Sequence, residues 1–151
     1  MSSRGNTSST NKKSNPSSEP SYQQPPEFFL DRGLGKGVAA GLIELGWHIH
    51  RIVDHFPNDA QETTDETWIE FGLTRGWVPL CKDGRIKGRA VERAPLGKHA
   101  AVMFYLDNQQ LTISAMIERV HNARAAIHHA VERGGPAAYA VTAQGIRRTW
   151  P

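Results

Sequence analysis

The chain lacks the marks of secreted and membrane proteins. It holds one cysteine, Cys81, in 151 residues, which excludes an internal disulfide and fits a reducing compartment. No apolar run approaches the ~20 residues of a membrane-spanning helix. The N-terminus has no apolar centre of the kind a secretion signal needs, so the expected location is cytoplasmic. There is no H-E-x-x-H motif and no cysteine pair, and seven scattered histidines alone give weak support for a zinc site. A strong excess of one charge is missing as well. Of 18 basic and 15 acidic residues, Arg4, Lys12, Lys13 and Glu19 fall in the first 26. The rest is nearly neutral, so the basic pI does not itself argue for a strong nucleic-acid field.

The sequence divides by composition. Residues 1–26 are rich in Ser, Asn, Pro and Gln without apolar periodicity, and such a segment cannot bury enough surface to offset its ordering entropy. It is expected to be a disordered leader. Residues 27–151 are long enough for one domain with one core.

Within that domain, apolar runs alternate with helical patterns. Phe28-Phe29-Leu30 is a continuous apolar run, as in a strand covered on both faces. Leu34, Val38, Leu42 and Leu45 then recur at helical spacing, closed by Gly46. A second strand is expected over 47–53, with His48 and His50 on one face and Ile49 on the other. Thr63 and Glu66 have capping-box spacing and open a helix that Gly76 closes. Trp77-Val78-Pro79-Leu80-Cys81 reads as a third strand, where Pro79 suggests an edge position or a bulge. A short helix broken near Pro95 is expected over 85–98, a fourth strand over 100–106, one long helix over 111–133 and a last strand over 137–141. Gln144-Gly145 can turn that strand into a closing hairpin. The alternation predicts an α/β fold, a three-layer α/β/α sandwich with a mostly parallel sheet of about five strands.

Ligands of open α/β sheets gather outside the carboxyl ends of the strands. Asp31 follows the first strand, Asp54 the second and Asp83 the third, while Asp65 opens a helix that runs back toward the third strand. Parallel strands would bring these carboxylates to one rim, where cations would have to offset their repulsion. Hard oxygen ligands suit Mg²⁺ or Mn²⁺, and such a site can promote attack on a phosphodiester. Each acid also has an ordinary explanation: Asp31 as a helix cap, Asp65 as a favourable charge at a helix start, Asp83-Gly84 as a turn and Asp54 as a solvated loop residue. Lys82, Arg85, Lys87, Arg89 and Arg93 surround Asp83, and Arg32, Lys36, Arg147 and Arg148 are weaker members of the same basic set. They fit a phosphate backbone or a solvated helix face.

The glycines Gly33, Gly35 and Gly37 open a helix after a strand, in the manner of a dinucleotide fingerprint. The third glycine of that motif would fall at Val38, and Asp31 would set the wrong charge beside a pyrophosphate. Nor is this a P-loop, because Gly37 follows Lys36 where Ser or Thr is required.

Phe28-Phe29-Leu30-Asp31 followed by a helix resembles the opening strand of PIN-like nuclease domains. The run Asp65-Glu66-Thr67-Trp68-Ile69, then Gly76-Trp77-Val78-Pro79-Leu80-Cys81-Lys82-Asp83-Gly84-Arg85-Ile86, resembles that family's acidic helix start and its strand ending in Thr-x-Asp. Cys81 stands where threonine is common, so only the aspartate is kept. The resemblance covers 28–86 well and the remainder in outline, and is nearest to the compact VapC-like ribonucleases of toxin–antitoxin systems. It implies an endoribonuclease dependent on Mg²⁺ or Mn²⁺, with Asp31, Asp65 and Asp83 as catalytic metal ligands and Lys82, Arg85, Lys87 and Arg32 on the RNA. It also implies inhibition by a small antitoxin protein and homodimerisation. PIN domains carry a further acid between the first two; the candidates for it in this chain are Asp54 and Asp59. The alternative is a non-catalytic module of the same fold that binds RNA or protein.

Overall fold

A computed structural model describes residues 24–82, 90–108 and 110–151. Most of the expected leader, together with Asp83, Arg85, Lys87 and Arg89, lies outside the described residues, as does the side chain of Asp59. The strands are β1 (Glu27–Leu30), β2 (His48–Arg51), β3 (Trp77–Cys81), β4 (Val102–Leu106), β5 (Ala137–Thr142) and β6 (Gly145–Trp150). They form one six-stranded sheet in the order β2-β1-β3-β4-β5-β6. Every pairing is parallel except β5 with β6, the closing hairpin.

The residues of β4 show why the sheet is sandwiched. Val102, Phe104 and Leu106 enter one core, Met103 and Tyr105 the other. A strand alternates its side chains between faces, so a wholly apolar strand needs cover on both. Helices α1 (Gly35–Glu44), α4 (Ile113–Asn122) and α5 (Arg124–Arg133) cover the first face with Val38, Leu42, Met116, Val120, Ile127 and Ala130. Helices α2 (Asp65–Thr74) and α3 (Ala90–His99) cover the second with Trp68, Ile69 and Leu96. This is the expected three-layer α/β/α sandwich.

The elements depart from expectation at several points. The second strand stops at Arg51, and Ile52–Asp54 form a 3-10 turn. Helix α2 is capped by Thr64, whose hydroxyl accepts from the Thr67 amide at 3.2 Å, so Asp65 is the first helical residue. Pro79 is neither at an edge nor in a bulge: β3 lies between β1 and β4. Its missing N–H is tolerated because pairing with β4 begins only at Leu80. Pro95 lies inside α3, which continues to His99 with Leu96 fully buried. The expected long helix is two helices meeting at Ala123, whose amide bonds back three residues to the Val120 carbonyl at 3.1 Å. Among the described residues no helix is long and apolar enough to cross a membrane.

Candidate active site

The site begins where β1 ends. The Asp31 amide donates to the Leu80 carbonyl at 3.0 Å, continuing the ladder with β3 one residue past the strand. Asp31 keeps an extended backbone, with φ −57° and ψ 148°, so its side chain falls on the same side of the sheet as that of Phe29, two residues earlier. One carboxylate oxygen accepts from the Gly33 amide at 2.8 Å, and the other from the Lys82 amide at a longer 3.4 Å. The cap role is therefore real. The same two bonds also hold the carboxylate between the exits of two neighbouring strands. The approach is close without being exclusive to glycine: a Cβ on Gly33 would stand in ordinary contact, 3.4 Å from the Lys82 Cβ and 3.6 Å from both Asp31 oxygens. Beside it lies a pocket of about 10 Å³, walled by Leu30, Asp31, Arg32, Gly35, Arg51, Ile52 and Val53, roughly the room of one water.

Asp65 reaches the same face by a different route. A helix that returns from the carboxyl end of β2 toward the start of β3 must begin at that rim, so its first residue lies there. The Asp65 Oδ1 accepts from Trp68 Nε1 at 2.9 Å. The Trp68 ring meets Phe29 edge-on with centroids 5.7 Å apart. Asp31 and Asp65 are thus each two or three residues from one aromatic contact. Asp54 is exposed in its 3-10 turn, in keeping with a solvated loop residue. Next to it, His55 packs on Phe29, Phe71 and Trp77. Arg32 is exposed beside Asp31, and Lys82 is partly buried.

Among the described residues no three His, Cys, Asp or Glu side chains form a group that could hold a metal ion. Two of the three expected ligands, Asp31 and Asp65, are described; Asp83, the residue after Lys82, is not. The donors that are described fit a hard divalent cation. They are carboxylate oxygens fixed by N–H donors, which orient the group and leave lone pairs for an ion. Cys81 is fully buried.

One residue at this rim escaped the sequence reading. Asp107 directly follows β4 and pairs with Arg119 of α4, Nη1 to Oδ1 at 2.8 Å. The pattern of an acid after an apolar strand, used for Asp31 and Asp83, applies to Leu106-Asp107 as well. Farther off, Glu70 on α2 accepts from His99 Nε2 and Lys98 Nζ on α3, both at 3.1 Å. The His99 bond first and the Lys98 bond second hold its carboxyl below the usual range.

Comparison with known proteins fits this geometry. The family model described as "PIN like domain" matches residues 26–108, more than half of the chain, and the chain belongs to that family. It is 29% identical over 123 residues to the Mycobacterium tuberculosis protein named "Putative ribonuclease VapC45", covering 80% of this chain and 89% of that protein. No solved structure gives a significant match.

Proposed function

We propose that this chain is a divalent-metal-dependent endoribonuclease, the toxin of a cytoplasmic toxin–antitoxin pair. The observation that carries the reading is the anchoring of Asp31, which joins the exits of β1 and β3 through the Gly33 and Lys82 amides. A carboxylate held rigidly at the carboxyl rim of a parallel sheet is placed for ligand chemistry. Family membership and the name of the Mycobacterium relative support the same activity.

In this reading Asp31 and Asp83 hold Mg²⁺ or Mn²⁺, and Asp65 ligates or orients the attacking water. The bound cation would supply acidification of water and charge neutralisation at the phosphate. Trp68 fixes the rotamer of Asp65 through its Nε1–H. Lys82, Arg85, Lys87 and Arg32 hold the RNA phosphates and bring the substrate to the rim. The partners would be RNA, a small antitoxin protein and a second copy of this chain, and residues 1–26 would be a leader outside the domain.

A non-catalytic RNA- or protein-binding module is the second reading. The chain's departure at the family's further acid favours it, because Asp54, one of the two residues offered there, sits exposed in a 3-10 turn. Asp31→Asn separates the two. Asparagine keeps an oxygen for the Gly33 amide but loses the charge. We expect Mn²⁺-dependent RNA cleavage to fall by roughly 10²–10³-fold while the melting temperature stays within a few degrees. Equal cleavage by the variant, or no Mn²⁺-dependent cleavage by the wild type, would remove the hydrolase reading.

A further inference from the structure

A second feature lies along the same rim, where Arg147 of the weaker basic set falls but none of the expected acidic ligands does. The carboxyl ends of β4 and β5 enclose an open cleft of about 610 Å³ lined by Asp107, Asn108, Gln110, Arg119, Thr142, Ala143, Gln144 and Arg147. Its walls are held by their own bonds. Arg119 reaches back from α4 to Asp107 at 2.8 Å, Asn108 Oδ1 accepts from the Gln110 amide at 2.8 Å, and Thr142 Oγ1 accepts from the Gln144 amide at 3.1 Å. The side chains of Gln110, Gln144 and Arg147, by contrast, make no hydrogen bond or ion pair among the described residues. The cleft is a fixed polar frame with three uncommitted planar heads.

We infer that this cleft takes one unpaired nucleobase of a single-stranded RNA. The inference rests on the ribonuclease reading for the identity of the polymer. The donor pattern supplies the rest. Two amides each offer a donor and an acceptor, Arg147 offers donors, and the ion-paired Asp107 offers an acceptor. A phosphate carries acceptors only and would face the Asp107 carboxylate, whereas the edge of a base carries both kinds of group. Glutamine, arginine and aspartate side chains pair with base edges in this way, and sequence-specific RNA recognition targets unstacked bases. Order in the sheet places β4 two strands from β1, roughly 10 Å along the rim at the usual strand spacing. One polymer could therefore lie across Asp31 and the cleft together. The cleft would choose the sequence, and the acidic rim would act on the backbone.

The test uses the full chain and four oligoribonucleotides, each a homopolymer of one base, with binding measured by fluorescence anisotropy in EDTA. In parallel, Mn²⁺-dependent cleavage positions are mapped on a random-sequence RNA. We expect the wild type to favour one base by about tenfold, equivalent to one good base contact. The Gln110→Ala/Gln144→Ala double variant should discriminate by less than about threefold and lose its preference at the same offset from the cut. Arg147→Ala should lower discrimination by a smaller factor. Equal affinity of the wild type for all four homopolymers, or undiminished discrimination in a folded double variant, would overturn the inference. Wild-type protein that discriminates among bases but cleaves nothing with Mn²⁺ would overturn the hydrolase reading and leave the cleft standing.

Discussion

The two faces of the sheet are packed by different means. On the face covered by α1, α4 and α5 aliphatic side chains surround two smaller ring groups, Phe28 with Trp47 and Phe104 with Tyr139, and helices approach where side chains are missing: Gly37 and Gly41 of α1 lie against Ile113 and Ile117 of α4. On the face covered by α2 and α3 the centre is a ring cluster. Phe29 has the rings of Trp77, His55, Trp68 and Phe71 at 5.2, 5.7, 5.7 and 5.9 Å. The two expected metal ligands that are described, Asp31 and Asp65, stand above this second face. Aliphatic arms can shift by rotamer changes at low cost. A ring locked between rings cannot, and indole also supplies a donor that branched aliphatics lack. The difference teaches where precision is spent: on the ring-centred face an indole orients Asp65, while backbone amides hold Asp31, and the aliphatic-rich face supplies most of the burial.

Gly72 gives the largest break in that comparison. A methyl built there would stand 2.5 Å from the Phe29 ring, which is fully buried. Gly72→Ala should destabilise by about 3 kcal/mol, the upper end for overpacking, as read from urea midpoints, and should lower cleavage by shifting the strand that carries Asp31. Trp68→Phe comes next. It deletes the Nε1–H to Asp65, a bond to a charged group worth ~1.5–3 kcal/mol, and shrinks a fully buried indole to a single phenyl ring, which adds a cavity cost. We expect the bond itself to contribute near the lower value, because Asp65 is partly exposed and water replaces the donor, with the cavity cost added to it. Mn²⁺ affinity measured by calorimetry should weaken by roughly 10-fold or more. Unchanged affinity would show that Asp65 needs no help from the aromatic face.

These two faces were unequally legible in the sequence. Phe28-Phe29-Leu30-Asp31 announced both a doubly covered strand and a rim acid, because continuous apolar runs and strand-end acids are local signals. Apolar spacing also located the helices, but not where they break. Met116, Val120, Ala123, Ile127 and Ala130 keep a helical period straight through the joint at Ala123, and alanine itself carries no stop signal. Thr63 and Thr64 are both good caps, and only the fold chose the second. Pro79 misled because its tolerance depends on where the pairing with β4 starts, which is a tertiary fact. The Asp65–Trp68 bond was readable, since three residues bring side chains together on a helix. Asp107 was readable too, from the same rule that singled out Asp31.

Gly41→Ala sharpens the comparison from the aliphatic side. The added methyl would overlap the far end of Ile117, a partly buried side chain that can rotate away, and alanine regains up to ~1 kcal/mol of helix propensity. We expect a net cost of about 1 kcal/mol or less, relieved when Ile117→Val is added. A cost equal to that of Gly72→Ala would mean that the two faces are equally rigid.

The smallest effects separate the faces by pH. On the aliphatic face His128 lies near Phe28 and Trp47, and burial first, then the Arg124 charge, holds its pKa below 6.5. The unfolded chain therefore binds this proton more readily. The His128 contribution is intact above pH 6.5 and declines as pH falls through that value, levelling below the folded pKa. On the aromatic face Glu70 is depressed below 4.5 by His99 and Lys98, so its contribution is present above 4.5 and is lost only as pH falls through the lower folded value. Melting temperatures taken from pH 7.5 to 3.5 should thus fall in two steps. His128→Phe should flatten the step near neutrality and leave the acid one. Glu70→Gln should do the reverse, with a small effect at pH 7 because its pairs are solvent-exposed. If either variant removed both steps, protonation would be coupled across the sheet, and the two faces would have to be treated as one cooperative unit.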